Sequence, residues 1–218
     1  MKKRASKTKR LKTMAAEQFR TLRTNIQFSS LGNKIKSIVI TSSMPGEGKS
    51  IVTANLAVTM ANAGKKVIIV DCDLRKPTIH KKFSLPNLIG LTNILVQDRN
   101  KHETITAANY PNLFILTSGP IPPNPSELLG SNNMRELLNE LINTYDIVLL
   151  DSPPVLYITD TQILSAIAQG TILVTSYGKS EKAAVLSAKE NIQKVGGKIL
   201  GVVINKMPVK KNNTYYEY

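Results

Sequence analysis

Tryptophan is absent from the chain, cysteine occurs once and histidine twice. A single thiol closes no internal disulfide, so a packed core must hold the fold, which fits a reducing compartment. Cys72, His80 and His102 also leave too few ligands for a zinc centre. Long apolar runs are missing as well. Val67-Ile68-Ile69-Val70 and Ile147-Val148-Leu149-Leu150 fall far short of the ~20 residues that cross a bilayer. The basic amino-terminal stretch leads into Thr13-Met14-Ala15-Ala16-Glu17-Gln18, which is no apolar core of a secretory signal. The expectation is a cytoplasmic protein that reaches the inner face of the membrane only through a partner or through charge.

Acids are scarce too, with 15 Asp and Glu against 29 Lys and Arg, for a net charge of +14. Half of that excess lies in the first twelve residues, at Lys2, Lys3, Arg4, Lys7, Lys9, Arg10 and Lys12. Such a stretch meets nucleic acid, anionic lipid or an acidic partner, or stays a solvated arm. No helix-turn-helix, zinc-finger or RNA-binding signature accompanies it, so nucleic acid is not an expected partner.

What is present is an alternation of strands and helices. Residues 1–13 read as a flexible basic arm and 14–28 as a helix, with Phe19, Leu22 and Ile26 on one side. Short apolar strands are expected at 38–40, 67–70, 113–116, 147–150, 171–175 and 199–204. Helices are expected from the glycine-rich loop to about Ala63, from Ser126, and at 160–168 and 181–195. Several strands are continuous apolar runs, the mark of a parallel sheet covered on both faces. The fold class is therefore α/β, with one domain over 14–205 and an exposed tail over 206–218.

Three motifs sit at the carboxyl ends of apolar strands, the edge where open parallel sheets bind ligands. After Ile38-Val39-Ile40 comes Ser43-Met44-Pro45-Gly46-Glu47-Gly48-Lys49-Ser50, followed by a helix. Glycines let successive N–H groups turn toward phosphate oxygens, and the helix adds its positive end. Gly46, Glu47, Gly48, Lys49, Ser50 and Ile51 are the candidate nucleotide contacts. Lys49 would reach the β- and γ-phosphates and Ser50 would ligate Mg²⁺. Ser43 stands where the usual pattern has glycine. After Val67–Val70 comes Asp71-Cys72-Asp73-Leu74-Arg75, whose carboxylates need a metal, a hydroxyl or Arg75 as partner. Cys72 reads as a buried filler. Asp151 ends the strand at 147–150, a common place for a magnesium-binding carboxylate. Together the three motifs predict a protein that holds MgATP.

These residues resemble the cytoplasmic bacterial tyrosine kinases of Gram-positive capsule and exopolysaccharide operons, of the CapB/CpsD type. The likeness runs from Glu17 to the final tyrosines. Ser42–Ser50 resembles that family's Walker A loop, Val70–Pro77 its Walker A′ motif and Leu149–Pro154 its Walker B. Pro122-Pro123-Asn124-Pro125-Ser126-Glu127-Leu128-Leu129 is a further characteristic stretch.

The resemblance implies a P-loop NTPase fold of the deviant-Walker ATPase kind, with a mostly parallel sheet and helices on both faces. It implies an ATP- and Mg²⁺-dependent protein-tyrosine kinase that controls polysaccharide synthesis. Lys49, Asp71, Asp73 and Asp151 are then catalytic, with Ser50, Asp71 and Asp151 near the metal; the division of labour among the aspartates stays open. Asn205 falls where related ATPases hold adenine. Tyr215, Tyr216 and Tyr218 resemble the autophosphorylated cluster. Glu17, Arg20 and Arg23 match a segment that implies ring assembly, although without the likeness they read as an i,i+3 surface pair. The implied partners are a transmembrane adaptor, further copies of the chain in a homo-oligomeric ring, and protein substrates such as sugar-nucleotide enzymes.

From Asn205 to Tyr215 is ten residues, a reach of at most ~35 Å, which permits phosphorylation within one chain. The rival readings are an ATP-driven switch of the MinD/ParA kind and an ATP-binding scaffold. The MinD/ParA signature lysine is Met44 here, which argues against the first.

Overall fold

The computed structural model describes residues 2–29, 34–96 and 101–208, and side chains from residue 14 onward except at 101 and 102. The elements in chain order are α1 (Lys2–Phe28), β1 (Ser37–Ser42), α2 (Lys49–Ala61), β2 (Val67–Asp71), α3 (Ile79–Lys82), α4 (Leu91–Leu95), α5 (Lys101–Thr104), β3 (Thr106–Ala107), β4 (Leu113–Leu116), α6 (Pro125–Gly130), α7 (Asn132–Thr144), β5 (Ile147–Asp151), α8 (Asp160–Ile167), β6 (Gly170–Ser176), α9 (Lys182–Lys194) and β7 (Ile199–Asn205). Every strand expected from the sequence appears, within two residues of its predicted bounds.

The differences have physical reasons. The stretch 1–28 contains neither glycine nor proline, and α1 runs from Lys2 through the segment expected as an arm. The helix expected from Ser126 starts at Pro125, whose missing N–H suits a first turn. It is followed by a second helix, α7, that opens on a cap: Ser131 Oγ accepts the Met134 N–H at 3.3 Å. Gly64, at φ +82°, closes α2 as a C-cap glycine should.

Seven strands form one sheet in the order β3-β4-β2-β5-β1-β6-β7. All adjacent pairs are parallel except β3–β4. Successive side chains of a strand face opposite sides, and each side carries its own core. Ile38, Ile40, Val67 and Ile69 pack with Val52, Leu56 and Met60 of α2, and Phe19, Leu22 and Ile26 of α1 close over them. Val39, Ile68, Val70, Val148 and Leu150 pack with Leu137, Leu138 and Leu141 of α7. Burying one such side chain contributes roughly 1.5–3 kcal/mol, so neither face could be left wet. The sheet is thereby covered on both sides, and only its edges and loops remain for function. No helix among the described residues is long and apolar enough to cross a membrane.

Candidate active site

Strand order brings the three motifs together. β5 lies between β1 and β2, with Asp151 paired in register to Ile40 on one side and to Asp71 on the other. Adjacent strands are about 4.8 Å apart, so the glycine-rich loop after β1 and both strand-end acids share one rim. A cleft of about 630 Å³ opens there.

The loop is held in shape by its own side chains. Gly46 and Gly48 take φ of +77° and +99°, the left-handed region that residues with a Cβ avoid. A Cβ on Gly48 would also lie 2.1 Å from Asn205 Nδ2. That amide donates to the Glu47 carbonyl at 2.9 Å. The Glu47 carboxylate is turned inward, accepting from Ser43 Oγ at 2.9 Å, from the Met44 N–H at 2.8 Å and from Ser180 Oγ. This explains Ser43 at a position where glycine is usual: its hydroxyl anchors the glutamate that fixes the turn. Lys206 Nζ donates to the Gly46 carbonyl. Such a loop offers N–H groups to an anion with little reorganisation left to do. Gly48→Ala combines strain with a clash and is expected to weaken nucleotide binding at least tenfold, about 1.4 kcal/mol, measurable by calorimetry with ADP.

Beneath the loop lies a lysine among three acids. Lys49 Nζ donates to Asp73 Oδ2 at 2.8 Å and stands 3.8 Å from Asp151 Oδ2. Asp151 is fully buried and accepts from Ser50 Oγ at 2.6 Å and Thr53 Oγ1 at 2.9 Å. Asp71, also fully buried, accepts the N–H groups of Ile79 at 3.0 Å, Thr78 at 3.1 Å and Asp73 at 3.3 Å. Burial, joined by the charge of Asp151, pushes Asp71 up to about 8. Burial raises Asp151 as well, against the pull of Lys49 and the Ser50 and Thr53 hydroxyls. For Lys49 burial acts against the charge, yet Asp151 and Asp73 outweigh it and hold the ammonium above its ordinary value. The cluster is short of positive charge: one cation serves three carboxylates.

The residues fit a magnesium ion by donor chemistry. Ser50 Oγ in the first turn of α2 and the Asp151 carboxylate at the end of β5 are hard oxygen donors 2.6 Å apart. Among the described residues no three His, Cys, Asp or Glu side chains gather closely enough to hold a metal alone.

Arg75 departs from expectation. It does not partner Asp71 or Asp73. Its Nε and a terminal nitrogen grip Asp160 at 2.9 and 3.2 Å, and Ser126 Oγ donates to the same carboxylate at 2.5 Å. Asp160, wholly buried at the start of α8, was not singled out from the sequence; nothing local marks it, since its partners lie 85 and 34 residues away. Cys72 is the buried filler expected, with burial holding its thiol well above the ordinary value.

Of the candidate residues, the structure gathers Gly46, Gly48, Lys49, Ser50, Ile51 and Asp73 along the cleft, with Asp71 and Asp151 behind them. Glu47 braces the loop, and Asn205 pins it from β7. Glu17 and Arg20 form an exposed pair on α1 at 2.6 Å, an i,i+3 contact of little energetic weight. Arg23 does not join that pair; its Nε is buried with no hydrogen-bond partner among the described residues. Tyr215, Tyr216 and Tyr218 lie outside the described residues.

A family model described as an AAA domain matches residues 35–195. The tyrosine-protein kinase YwqD of Bacillus subtilis is 47% identical over 207 residues, which cover 95% of this chain and 87% of that protein. Among solved structures, the chimerical protein CapA2B2 superposes with a TM-score of 0.86 at 44% identity, over 88% of this chain and 85% of the other. The kinase domain of the Escherichia coli tyrosine kinase ETK gives 0.84 at 30% identity, over 94% and 80%.

Proposed function

The chain belongs to the bacterial tyrosine-protein kinases, and from that premise we propose how its residues divide the transfer of a phosphoryl group from ATP to a tyrosine hydroxyl. The observation that carries the proposal is the lysine–acid cluster beneath a pre-formed phosphate loop. The loop from Gly46 to Ser50, with the first turn of α2, holds the phosphates. Ser50 and Asp151 would hold Mg²⁺, which would offset charge on the phosphates. Asn205 and Lys206 keep the loop in place.

Asp73 is the best-placed proton acceptor. It lines the cleft, whereas Asp71 and Asp151 are sealed behind it. A phenol with pKa near 10 is a poor nucleophile at neutral pH, and a nearby carboxylate relieves it of its proton as the bond to phosphorus forms. Without nucleotide, Asp73 is occupied by Lys49. A triphosphate draws the ammonium toward itself and frees the carboxylate, so nucleotide binding and base availability are linked. Asp71, with its oxygens accepting three backbone N–H groups, sets the path from β2 to α3 and thereby the position of Asp73.

The acceptors are Tyr215, Tyr216 and Tyr218, three tyrosines within four residues. Self-phosphorylation of that cluster controls capsular or exopolysaccharide synthesis, with other protein substrates such as sugar-nucleotide enzymes. The likeness to the CapA2B2 chimera supports a membrane adaptor of the CapA kind, which brings this chain to the inner face of the membrane. Glu17 and Arg20, both exposed on α1, support a contact from a second copy there, as in a ring. Incubation with γ-phosphate-labelled ATP, Mg²⁺ and the adaptor's cytoplasmic peptide should place label on tyrosine. Changing Tyr215, Tyr216 and Tyr218 to Phe should remove most of it without altering ADP binding. Label found only as free phosphate would leave an ATP-driven switch as the function.

A further inference from the structure

The cleft is asymmetric in charge. At the β7 end, Lys206 is engaged with the Gly46 carbonyl, and Lys49 lies under the loop. At the β2 end, beyond Asp73, the cleft is lined by Lys76 and Lys82. Both are exposed, and neither forms an ion pair among the described residues. Arg75 between them and Asp73 is committed to Asp160. The backbone N–H of Lys76 donates to Asp73 Oδ1 at 3.0 Å, which fixes this lysine three residues from the proposed base. The same cleft has apolar lining from Pro153, Pro154, Tyr157 and Ile158. A tyrosine presenting its hydroxyl to Asp73 would share the cleft with that apolar surface and with Lys76 and Lys82.

The chain's own acceptor segment matches this layout. After Asn205 its one acid is Glu217, set between Tyr216 and Tyr218. We propose that Lys76 and Lys82 form a subsite for negative charge flanking the acceptor tyrosine. It takes a glutamate first and a phosphotyrosine better, so that each phosphate added to the cluster improves the cluster as a substrate. The proposal rests on the reading of Asp73 as the base, and it assigns these lysines to acceptor choice rather than to ATP.

The test uses the full chain and peptides of residues 212–218 in three forms: unchanged, Glu217→Gln, and phosphorylated at Tyr216. With Mg²⁺, ATP and the adaptor's cytoplasmic peptide, kcat/KM is expected to fall about fivefold for the Gln peptide, and to rise about tenfold for the phosphorylated one. Both differences should shrink in high salt. The pair Lys76→Ala and Lys82→Ala should erase them while leaving the Gln peptide and the KM for ATP unmoved. Equal rates for all three peptides overturn the proposal. So does a variant that slows every peptide alike or raises the KM for ATP, which would mean that the lysines serve the nucleotide. Peptide affinity, measured by fluorescence anisotropy with a non-hydrolysable ATP analogue, should show the same order. If no peptide gains phosphotyrosine, the transfer reading fails, and the affinity series still decides whether the subsite exists.

Discussion

Exchanging Lys49 for methionine is expected to cut phosphotyrosine formation by about 10³-fold or more. Two losses combine. The phosphates lose their cation, and the acids lose the charge that holds them in place. The second loss makes a separate signature. Lys49 is only 12% exposed and Asp151 not at all, so removing the lysine leaves buried carboxylates unpaired. Breaking a pair of this kind costs about 3 kcal/mol, or roughly 6–12 °C of melting temperature in a domain this size. The cost should be smaller at pH 6 than at pH 8, because protonation relieves the stranded acids. Thermal denaturation without nucleotide, beside a labelled-ATP assay, reads both effects. A variant that melts like the parent and still labels tyrosine would remove Lys49 from the site.

Asp73→Asn should be nearly as damaging to turnover, lowering kcat by about 10²–10⁴-fold while the KM for ATP changes little. The neutral amide cannot take the phenolic proton, so the loss falls on the transfer step. Asp71→Asn provides the contrast. Transfer falls by less, because the β2–α3 path shifts while the base remains. Its stability behaves differently too. Asp71 ordinarily titrates near 3.8 and in the fold near 8. The folded state therefore binds that proton more tightly than the unfolded chain, and stability is lost as pH rises from about 4 to about 8. Asp71→Asn should flatten that slope in chelator-treated, nucleotide-free protein. A denaturation series at pH 5, 6, 7 and 8 checks it, and an unchanged slope would place the titration elsewhere. Transfer abolished by Asp71→Asn and near the parent rate in Asp73→Asn would exchange their roles.

The strands and their terminal acids were readable because they obey short-range rules. A short, β-branched apolar run such as Val67–Val70, stopped by Asp71, fits a buried parallel strand with its polar group at the rim. The loop's glycines and Lys49-Ser50 announce themselves in the same way. Strand order was not legible: nothing in the alternation of elements says that β5 inserts between β1 and β2, and that insertion brings Asp151 beside both loop and Asp71. The place of Glu47 in the loop is legible, but not the bracing by its carboxylate, which meets Ser43 and, 133 residues on, Ser180. The grip of Arg75 and Ser126 on Asp160 joins three segments distant in the chain, and pattern rules see only neighbours.

The clamp of Asn205 and Lys206 on the phosphate loop bears on where this protein can be cut. Sequence reading draws the domain edge at 205, where the last strand stops, but the ammonium that steadies Gly46 belongs to the following residue. A tail-less version ending at 205 keeps its sheet and forfeits part of its nucleotide grip; one ending a residue later keeps both. Trimming experiments meant to separate substrate from enzyme should respect that single position.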